Sequence, residues 1–346
     1  MADNSRANFR VAYCGSNDVP VDLIQPILDE IGAVMTISNP QTEEAVADAG
    51  RDADAMILHG SIPITRDVLA ELRRCKVICR TGVGVDRMDL AAAAERDIVI
   101  SNAAGCNSIE VAEQTIGLLI TLQRKLYRMD QYVRAGRWGR HSAELHRYRG
   151  TVHRIAGQTL GIVGLGHVGQ QVAPRAQGLG LRVQATDPFL APDIAQQLDV
   201  PLVSLDELIR TSDFVSLHAP LYSETRHLIN AERLRQFKPG AYLINCARGP
   251  LVDTDALMDA LRDGRIAGAA LDVTEPEPLP GDHPILAFDN VIVTGHTGAN
   301  SDESYAECQT HAAWEVVRVL RGEPPTTPVN DPWLIGEQVE TGFGGV

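Results

Sequence analysis

The sequence has little of what a membrane, nucleic-acid or zinc protein needs. No apolar run reaches the roughly 18 residues without charge that a bilayer span requires. Basic residues are outnumbered, since 31 Lys and Arg against 45 Asp and Glu give a formal net charge of −14. A phosphate-binding surface is instead basic. The start, Met1 to Asn8, is polar and lacks an apolar signal core. We therefore expect neither nucleic acid nor a membrane as a partner.

The six cysteines are scattered and form no metal-binding pattern. The closest pair, Cys75 and Cys79, lies in CKVIC, which is typical of a buried strand and has no second Cys or His pair for zinc. We predict no metal site, reduced thiols and a cytoplasmic location.

Short apolar runs alternate with helical segments along the 346 residues, a length that suits about two domains. Continuous apolar strands that alternate with helices predict an α/β fold with two doubly wound parallel sheets. The predicted strands are Val11–Cys14, Val34–Ile37, Ala55–Leu58, Val77–Cys79 and Ile98–Ser101, then Leu160–Val163, Arg182–Thr186, Phe214–Leu217, Ala241–Asn245, Ala269–Leu271 and Val291–Thr294.

The longest apolar helix is predicted over Ser108–Leu126, with Ser108 as its N-cap. It is apolar nearly all round, which indicates either burial within a domain or a subunit interface. The Arg- and His-rich segment 134–154 that follows is either a solvated linker or a basic surface that meets an acidic partner subunit or attracts an anionic substrate. A last helix is predicted over Asp302–Arg321, and a disordered tail over residues 334–346.

The strongest local signal is a dinucleotide fingerprint, GLGHVG. Gly164, Gly166 and Gly169 directly follow a predicted strand and open a helix that begins with His167 and Val168. In this pattern the first glycine permits the tight turn, the second lets the backbone approach a pyrophosphate, and the third lets the helix pack on the strand. Free N–H groups at the helix start then face the phosphates.

The next strand ends at Asp187, 21 residues after Gly166. A carboxylate there accepts hydrogen bonds from the ribose hydroxyls and repels a 2′-phosphate. No Arg or Lys follows it directly. The predicted cofactor is therefore NAD rather than NADP.

An earlier pair, Gly82 and Gly84 around Val83, has no third glycine, because position 87 is Arg87. We interpret it either as a plain turn or as a backbone site for a small carboxylate.

Polar residues follow three strands of the second series. Arg248 follows Ala241–Asn245, Asp272 and Glu277 follow Ala269–Leu271, and His296 follows Val291–Thr294. Because the carboxyl ends of parallel strands share one edge of a sheet, we expect Arg248, Glu277 and His296 to converge beside a nicotinamide.

Together these segments resemble the D-isomer-specific 2-hydroxyacid dehydrogenase family. The resemblance extends from about Leu58 to Asn330. The matching stretches are RTGVGVD, SNAAGCNSIEVAEQT, AGQTLGIVGLGHVGQ, TRHLIN, KPGAYLINCARGPLVD, GAALDVTEPEP, NVIVTGH and RGEPP.

The resemblance implies two domains with the active site in the cleft between them. A flavodoxin-like substrate domain would combine residues 1–101 with 297–333, and a Rossmann NAD domain would span residues 102–296. It also implies a homodimer through helix 108–126, which favours the interface interpretation of that helix.

The resemblance also assigns roles to residues. Arg248 matches the arginine that binds the substrate's carboxylate and carbonyl oxygen, His296 the acid/base histidine, and Glu277 the carboxylate that orients it. Val83 and Gly84 match the backbone pair that receives the substrate carboxylate. The residues expected on the nicotinamide side are His218, Pro220, Thr225, Cys246, Ala247, Asp272 and His296.

The implied activity is hydride exchange between NAD(H) and a small D-2-hydroxy acid or its 2-oxo acid. The alternative is a corepressor-like member of the same family that senses NAD(H) with weak or no turnover. Two departures stand out. Gly295 replaces the proline that usually precedes the catalytic histidine, and His59-Gly60-Ser61 lacks the Arg or Lys of phosphoglycerate-type members.

Overall fold

The computed structural model describes residues 9–15, 18–60, 62–139 and 142–330. The predicted tail 334–346, the polar start Met1 to Asn8 and Ser61 lie outside the described residues. The chain divides into two compact units. One combines the residues up to Asn107 with those from Asn300 onward, and the other spans Ser108–Ala299. The boundaries expected from the sequence, 101/102 and 296/297, lie a few residues earlier.

The first unit begins with five parallel strands and four helices. Its strands pair in the order β2-β1-β3-β4-β5, which is the flavodoxin-like order. The elements are β1 (Arg10–Cys14), α1 (Val21–Leu28), β2 (Val34–Ser38), α2 (Glu43–Gly50), β3 (Ala55–Leu58), α3 (Arg66–Glu71), β4 (Val77–Arg80), α4 (Leu90–Ala94) and β5 (Val99–Ser101).

The second unit holds a six-stranded parallel sheet in the order β11-β10-β9-β8-β6-β7. Strand order reverses at β6, which lies between β7 and β8, and ligands bind at such a switch point in open α/β sheets. The elements are α5 (Ser108–Arg124), α6 (Leu126–Arg134), α7 (Ser142–Arg149), β6 (Thr159–Val163), α8 (His167–Gly178), β7 (Arg182–Thr186), α9 (Pro192–Gln197), α10 (Leu205–Thr211), β8 (Phe214–Leu217), α11 (Ala231–Gln236), β9 (Tyr242–Asn245), α12 (Thr254–Arg262), β10 (Gly268–Leu271) and β11 (Val291–Val293).

The last helix, α13 (Asp302–Leu320), returns the chain to the first unit. Ser301 caps it, because its side chain accepts a hydrogen bond from the Ser304 N–H while the Ser304 hydroxyl bonds the Ser301 backbone. Its apolar face packs on β1, β3 and β4. The predicted α/β class with two parallel sheets is confirmed.

One local prediction needs correction. The helix expected over Ser108–Leu126 begins at Ser108 itself and ends at Arg124, where Lys125 adopts a left-handed φ of +56°. The described part of segment 134–154 contains α7. Arg137 lies over the rings of Tyr132 and Tyr148, 5.9 and 5.8 Å from their centroids. Over the described residues, no helix combines the length and apolar character needed to cross a bilayer.

Glu315 is a buried carboxylate that ties α13 to the edge of the first sheet. It accepts hydrogen bonds from the Ser101 and Thr326 hydroxyls at 2.7 and 2.6 Å. Burial raises the pKa of Glu315, but these hydrogen bonds outweigh it and hold the pKa below its ordinary value of 4.5. A lowered folded-state pKa means that the carboxylate stabilises the fold fully above about pH 4.5 and loses this effect as the pH falls through the folded-state pKa.

We therefore expect Glu315→Gln to lower the free energy of unfolding by about 1–3 kcal/mol at pH 7, because the new amide places N–H groups against donors. The difference from wild type should shrink below about pH 4.5. Urea unfolding of wild type and variant at pH 7 and below pH 4.5 measures this difference in unfolding free energy. The exposed Glu303→Gln on the same helix is the control, and equal unfolding midpoints for the two variants at pH 7 would contradict the assignment.

Candidate active site

The turn after β6 is built from glycines that permit close approach. Gly164 has a φ of +91°, and a Cβ there would lie 2.8 Å from the Ala219 nitrogen in the loop after β8. A Cβ on Gly169 would collide with the Gly164 carbonyl oxygen. At Gly166, by contrast, a Cβ would meet nothing within 4 Å. The turn is thus closed toward the sheet and open at its second glycine.

Helix α8 starts at this opening. Gly166 is its N-cap, no side chain caps it, and its first turn closes with the Gln170 N–H donating to the Gly166 carbonyl at 2.9 Å. An uncapped helix N-terminus presents N–H groups and the positive end of the helix dipole. His167 and Val168 are its first residues. This arrangement suits a pyrophosphate.

Asp187 lies directly after β7 and bridges to the same turn. Its Oδ2 accepts a hydrogen bond from the Leu165 N–H at 2.8 Å. Its Oδ1 accepts from the N–H groups of Phe189 and Leu190 at 3.0 and 3.2 Å. The carboxylate is therefore fixed beside the glycine turn, where it would meet ribose hydroxyls.

His218 follows β8 at the switch point of the sheet. Its Nε2 lies 2.8 Å from the Ser216 hydroxyl, whereas its buried Nδ1 has no hydrogen-bond partner among the described residues. Desolvation lowers the pKa of His218 far below its ordinary value of 6.5, so the ring is neutral. A buried polar atom without a partner is uncommon, and its unused hydrogen-bonding capacity suits a bound ligand group.

The other residues expected on the nicotinamide side have mixed environments. The Thr225 hydroxyl closes its own loop, donating to the Pro220 carbonyl at 2.8 Å and accepting from the Tyr222 N–H at 2.7 Å. Cys246 is buried, which raises its pKa to about 12 and keeps it a thiol. Ala247 donates its N–H to the Asn245 side chain at 3.1 Å.

Arg248 is carried by a short turn after β9. The Asn245 amide donates to the Arg248 carbonyl at 2.8 Å, and Arg248 itself is extended, with a φ of −142°. The following residue, Gly249, packs so tightly that a Cβ would collide with the Thr274 carbonyl in the loop after β10. The loop bearing Arg248 therefore lies against the loop that leads to Glu277.

Asp272 organises the loop after β11. Its buried carboxylate accepts hydrogen bonds from the Thr294 hydroxyl at 2.6 Å, the Thr297 N–H at 3.0 Å and the Gly298 N–H at 2.9 Å. Its carbonyl accepts from the His296 N–H at 2.5 Å. Sequence reasoning gave Asp272 only a place beside the nicotinamide and missed this supporting role of a buried carboxylate.

His296 and Glu277 are in direct contact, as expected. The His296 Nδ1 lies 2.6 Å from the Glu277 Oε1, and both side chains are nearly half exposed. A carboxylate on Nδ1 favours the tautomer that carries its proton there and leaves the Nε2 lone pair available. The pair can thus exchange a proton with a bound molecule.

Glu275 anchors the loop that carries Glu277 and was missed by sequence reasoning. Its carboxylate contacts the Arg226 guanidinium at 2.7 Å and the His227 Nε2 at 3.1 Å. Desolvation raises the pKa of Glu275, but hydrogen bonds from Arg226 and His227 outweigh it and lower the pKa overall. The sequence offered only two signals for this contact: the glutamates two positions apart in TEPEP, and the Arg226-His227 pair much earlier in the chain.

Within the first unit, Val83 and Gly84 follow β4. The Val83 carbonyl accepts from the Asn102 amide at 2.7 Å, and the Gly84 carbonyl accepts from the Arg80 guanidinium. Across the described residues, neither amide N–H has an acceptor. His59, after β3, has its Nδ1 2.8 Å from the Thr81 hydroxyl.

A parallel sheet with a glycine turn, an uncapped helix and an acidic strand end defines a Rossmann-type dinucleotide-binding unit. Residues 116–298 match the sequence model of the "D-isomer specific 2-hydroxyacid dehydrogenase, NAD binding domain". The chain belongs to the D-isomer-specific 2-hydroxyacid dehydrogenase family.

Relatives and solved structures agree with this assignment. The chain is 40% identical to a D-3-phosphoglycerate dehydrogenase of Methanocaldococcus jannaschii over 90% of its own length and 58% of the relative's. It is 39% identical to a glyoxylate reductase of Thermofilum pendens over 84% and 85% of the two chains. The TT0316 protein of Thermus thermophilus superposes with a TM-score of 0.82 at 36% identity, over 93% of this chain and all of the other.

The chain spans about half the length of several curated relatives, 58%, 57% and 45% of three phosphoglycerate dehydrogenases. The cofactor of the family domain is NAD, and the glycine turn, Asp187 and the unpartnered Nδ1 of His218 fit it. Among the described residues, no group of three or more His, Cys, Asp or Glu is arranged to hold a metal ion.

Gly295 permits the left-handed backbone that leads into His296. The two residues have φ values of +65° and +60°, in the left-handed region. Proline is restricted to a φ near −65°, so the residue usual in the family cannot adopt this shape. We expect Gly295→Pro to lower the thermal unfolding midpoint clearly more than Gly295→Ala, which pays only for a left-handed alanine, about 1 kcal/mol.

Gly281→Ala is the matched control, because Gly281 has no left-handed φ and open space around it. Scanning calorimetry of the three variants measures the order. A Gly295→Pro variant as stable as wild type would contradict the backbone shape described here.

Proposed function

We propose that the chain is an NAD-dependent dehydrogenase that interconverts a small D-2-hydroxy acid and its 2-oxo acid. The observation that carries the proposal is the contact of 2.6 Å between the His296 Nδ1 and the Glu277 Oε1, in the unit that holds the dinucleotide turn. Family membership and relatives named as dehydrogenases and reductases support it.

NADH, when bound, supplies the hydride that reduces the carbonyl carbon. His296 donates the proton from Nε2 to the carbonyl oxygen and takes it back in the oxidation direction. Glu277 stabilises the imidazolium and holds the ring in orientation, since its oxygen accepts the Nδ1 proton. Arg248 binds the substrate carboxylate with its planar fork and stabilises negative charge on the carbonyl oxygen.

The cofactor contacts are proposed from the same arrangement. Backbone N–H groups of the glycine turn and of the start of α8 hold the pyrophosphate, and they belong to Gly164, Gly166, His167, Val168 and Gly169. Asp187 accepts hydrogen bonds from the ribose hydroxyls and disfavours NADP. The nicotinamide side is formed by His218, Pro220, Thr225, Cys246, Ala247, Asp272 and His296.

Val83 and Gly84 are proposed to receive the substrate carboxylate. Their N–H groups have no acceptor within the described chain, and two adjacent N–H donors suit a carboxylate. This placement rests on the family resemblance.

The preferred substrate is proposed to be small and unphosphorylated, such as glyoxylate or hydroxypyruvate. His59-Gly60 itself has no Arg or Lys, and the neighbouring Arg80 guanidinium donates to the carbonyls of Gly60 and Gly84. Burial, followed by the charge of Arg80, lowers the pKa of His59. A neutral imidazole attracts a phosphate less than a guanidinium does.

The assembly is proposed to be a cytoplasmic homodimer that contacts through α5. Three isoleucines, Ile109, Ile116 and Ile120, keep exposed surface on one stripe of this helix, and Ile109 is 48% exposed. Light scattering should give about twice 37.5 kDa, and a monomer mass would reject the dimer.

The decisive experiment is a panel of 2-oxo acids, including glyoxylate, hydroxypyruvate, pyruvate and 3-phosphohydroxypyruvate, scored by NADH consumption with NADPH alongside. We expect turnover of an unphosphorylated acid with NADH. A tenfold preference for NADPH, about 1.4 kcal/mol, would overturn the role of Asp187. Tight NADH binding without turnover of any acid would indicate the corepressor-like alternative.

His296→Asn tests the acid/base role, because asparagine tolerates the left-handed φ of this position. We expect kcat to fall by at least about 100-fold, since general acid/base catalysis supplies about 10²–10⁴, while the NADH dissociation constant stays within about twofold. His283→Asn is the control outside the site. Retained turnover in His296→Asn would reject the assigned role.

A further inference from the structure

Two cysteines meet where the segment after β5 runs along α13. Glu315 contacts Ser101 at 2.7 Å, and one helical turn earlier the His311 Nε2 lies 3.1 Å from the Asn102 carbonyl oxygen. The helix and the segment thus run in opposite directions along this contact. Cys308 lies on the same helix face, three residues before His311, and its side chain meets that of Cys106 in the segment.

The two thiols are joined by a hydrogen bond. The Cys308 thiol makes a side-chain hydrogen bond to Cys106, and this bond, against the opposing effect of burial, lowers the pKa of Cys106 below its ordinary value of 9.0. Cys308 is buried, whereas Cys106 is partly exposed. The exposed member is therefore the one with more thiolate character.

The remaining cysteines are in the opposite situation. All four are buried, and desolvation raises the pKa of each of them, to about 12 for Cys75 and Cys246. Desolvation acts in the same direction on Cys14 and Cys79. Because the thiolate is the form that attacks a peroxide, these four cysteines react poorly with it.

We propose that Cys106 and Cys308 are a dithiol that hydroperoxides oxidise to a disulfide within one chain. The Cys106 sulfur attacks one peroxide oxygen, the O–O bond breaks, and sulfenic acid and water form. The Cys308 sulfur then attacks the sulfenic sulfur, its proton leaves with the hydroxide as a second water, and the S–S bond forms. Hydrogen peroxide is reduced by two electrons, and an external dithiol reverses the reaction.

Both cysteines lie in the first unit. Cys106 is two residues before Ser108, where the chain enters the second unit, and Cys308 lies in α13. The disulfide would join the segment after β5 to α13. This inference does not depend on the proposed enzymatic activity.

Mass spectrometry of the full chain tests the pair. The reduced protein is treated in its folded state with a small excess of hydrogen peroxide, alkylated and digested with trypsin. Each of the tryptic peptides 97–124 and 266–318 carries one cysteine. We expect these two peptides to become linked, two of the six thiols per chain to be lost in a thiol titration, and dithiothreitol to restore both.

Variants identify the partners. Cys308→Ser should abolish the link and leave Cys106 as a sulfenic acid that dimedone captures, whereas Cys106→Ser should leave Cys308 a thiol. Cys75→Ser, which removes a buried thiol elsewhere in the first unit, should leave the link unchanged. Peroxide-treated wild type in which both peptides stay alkylated, or in which Cys106 links to another cysteine or another chain, would overturn the proposal.

Discussion

The buried carboxylate of Asp272 is the interaction on which the candidate chemistry depends. Its two oxygens accept hydrogen bonds from Thr294, Thr297 and Gly298, and its carbonyl accepts from His296. A buried carboxylate that accepts several hydrogen bonds fixes its neighbours, because each lost bond would leave a desolvated group without a partner. The backbone on either side of the imidazole is therefore held in place, and such positioning favours proton transfer to a bound molecule.

At the carboxyl end of the second sheet, glycines allow neighbouring loops to pack closely against each other. Gly164 packs against the loop after β8, Gly249 against the loop after β10, and Gly298 against Asp272, which follows β10. Each contact joins loops whose strands are neighbours in the sheet. A Cβ at any of these three glycines would displace backbone or a buried carboxylate. The close packing of these loops therefore depends on glycine at these positions as well as on the side chains around them.

The sequence was sufficient for the strands and for the position of Arg248, Glu277 and His296 at strand ends, because both follow from local periodicity and from the shared direction of parallel strands. The contact between Glu277 and His296 came from the family resemblance. The shape of the loop at Gly295 could not be predicted, since its left-handed backbone is held by bonds to Asp272, 23 residues away in the chain. The anchoring of Glu275 by Arg226 was missed for the same reason, since the two partners are 49 positions apart in the chain.

The return of α13 to the first unit has a consequence for synthesis on the ribosome. The edge strand β5 is tied by Asn330, whose side chain bonds the backbone of Ile98 and Ile100 across 232 and 230 residues. All residues of the second unit lie between these partners. Because the chain is made from its N-terminus, the first unit cannot complete its fold until α13 and Asn330 have been synthesised. The second unit, although its synthesis starts later, is the first to have all its residues available.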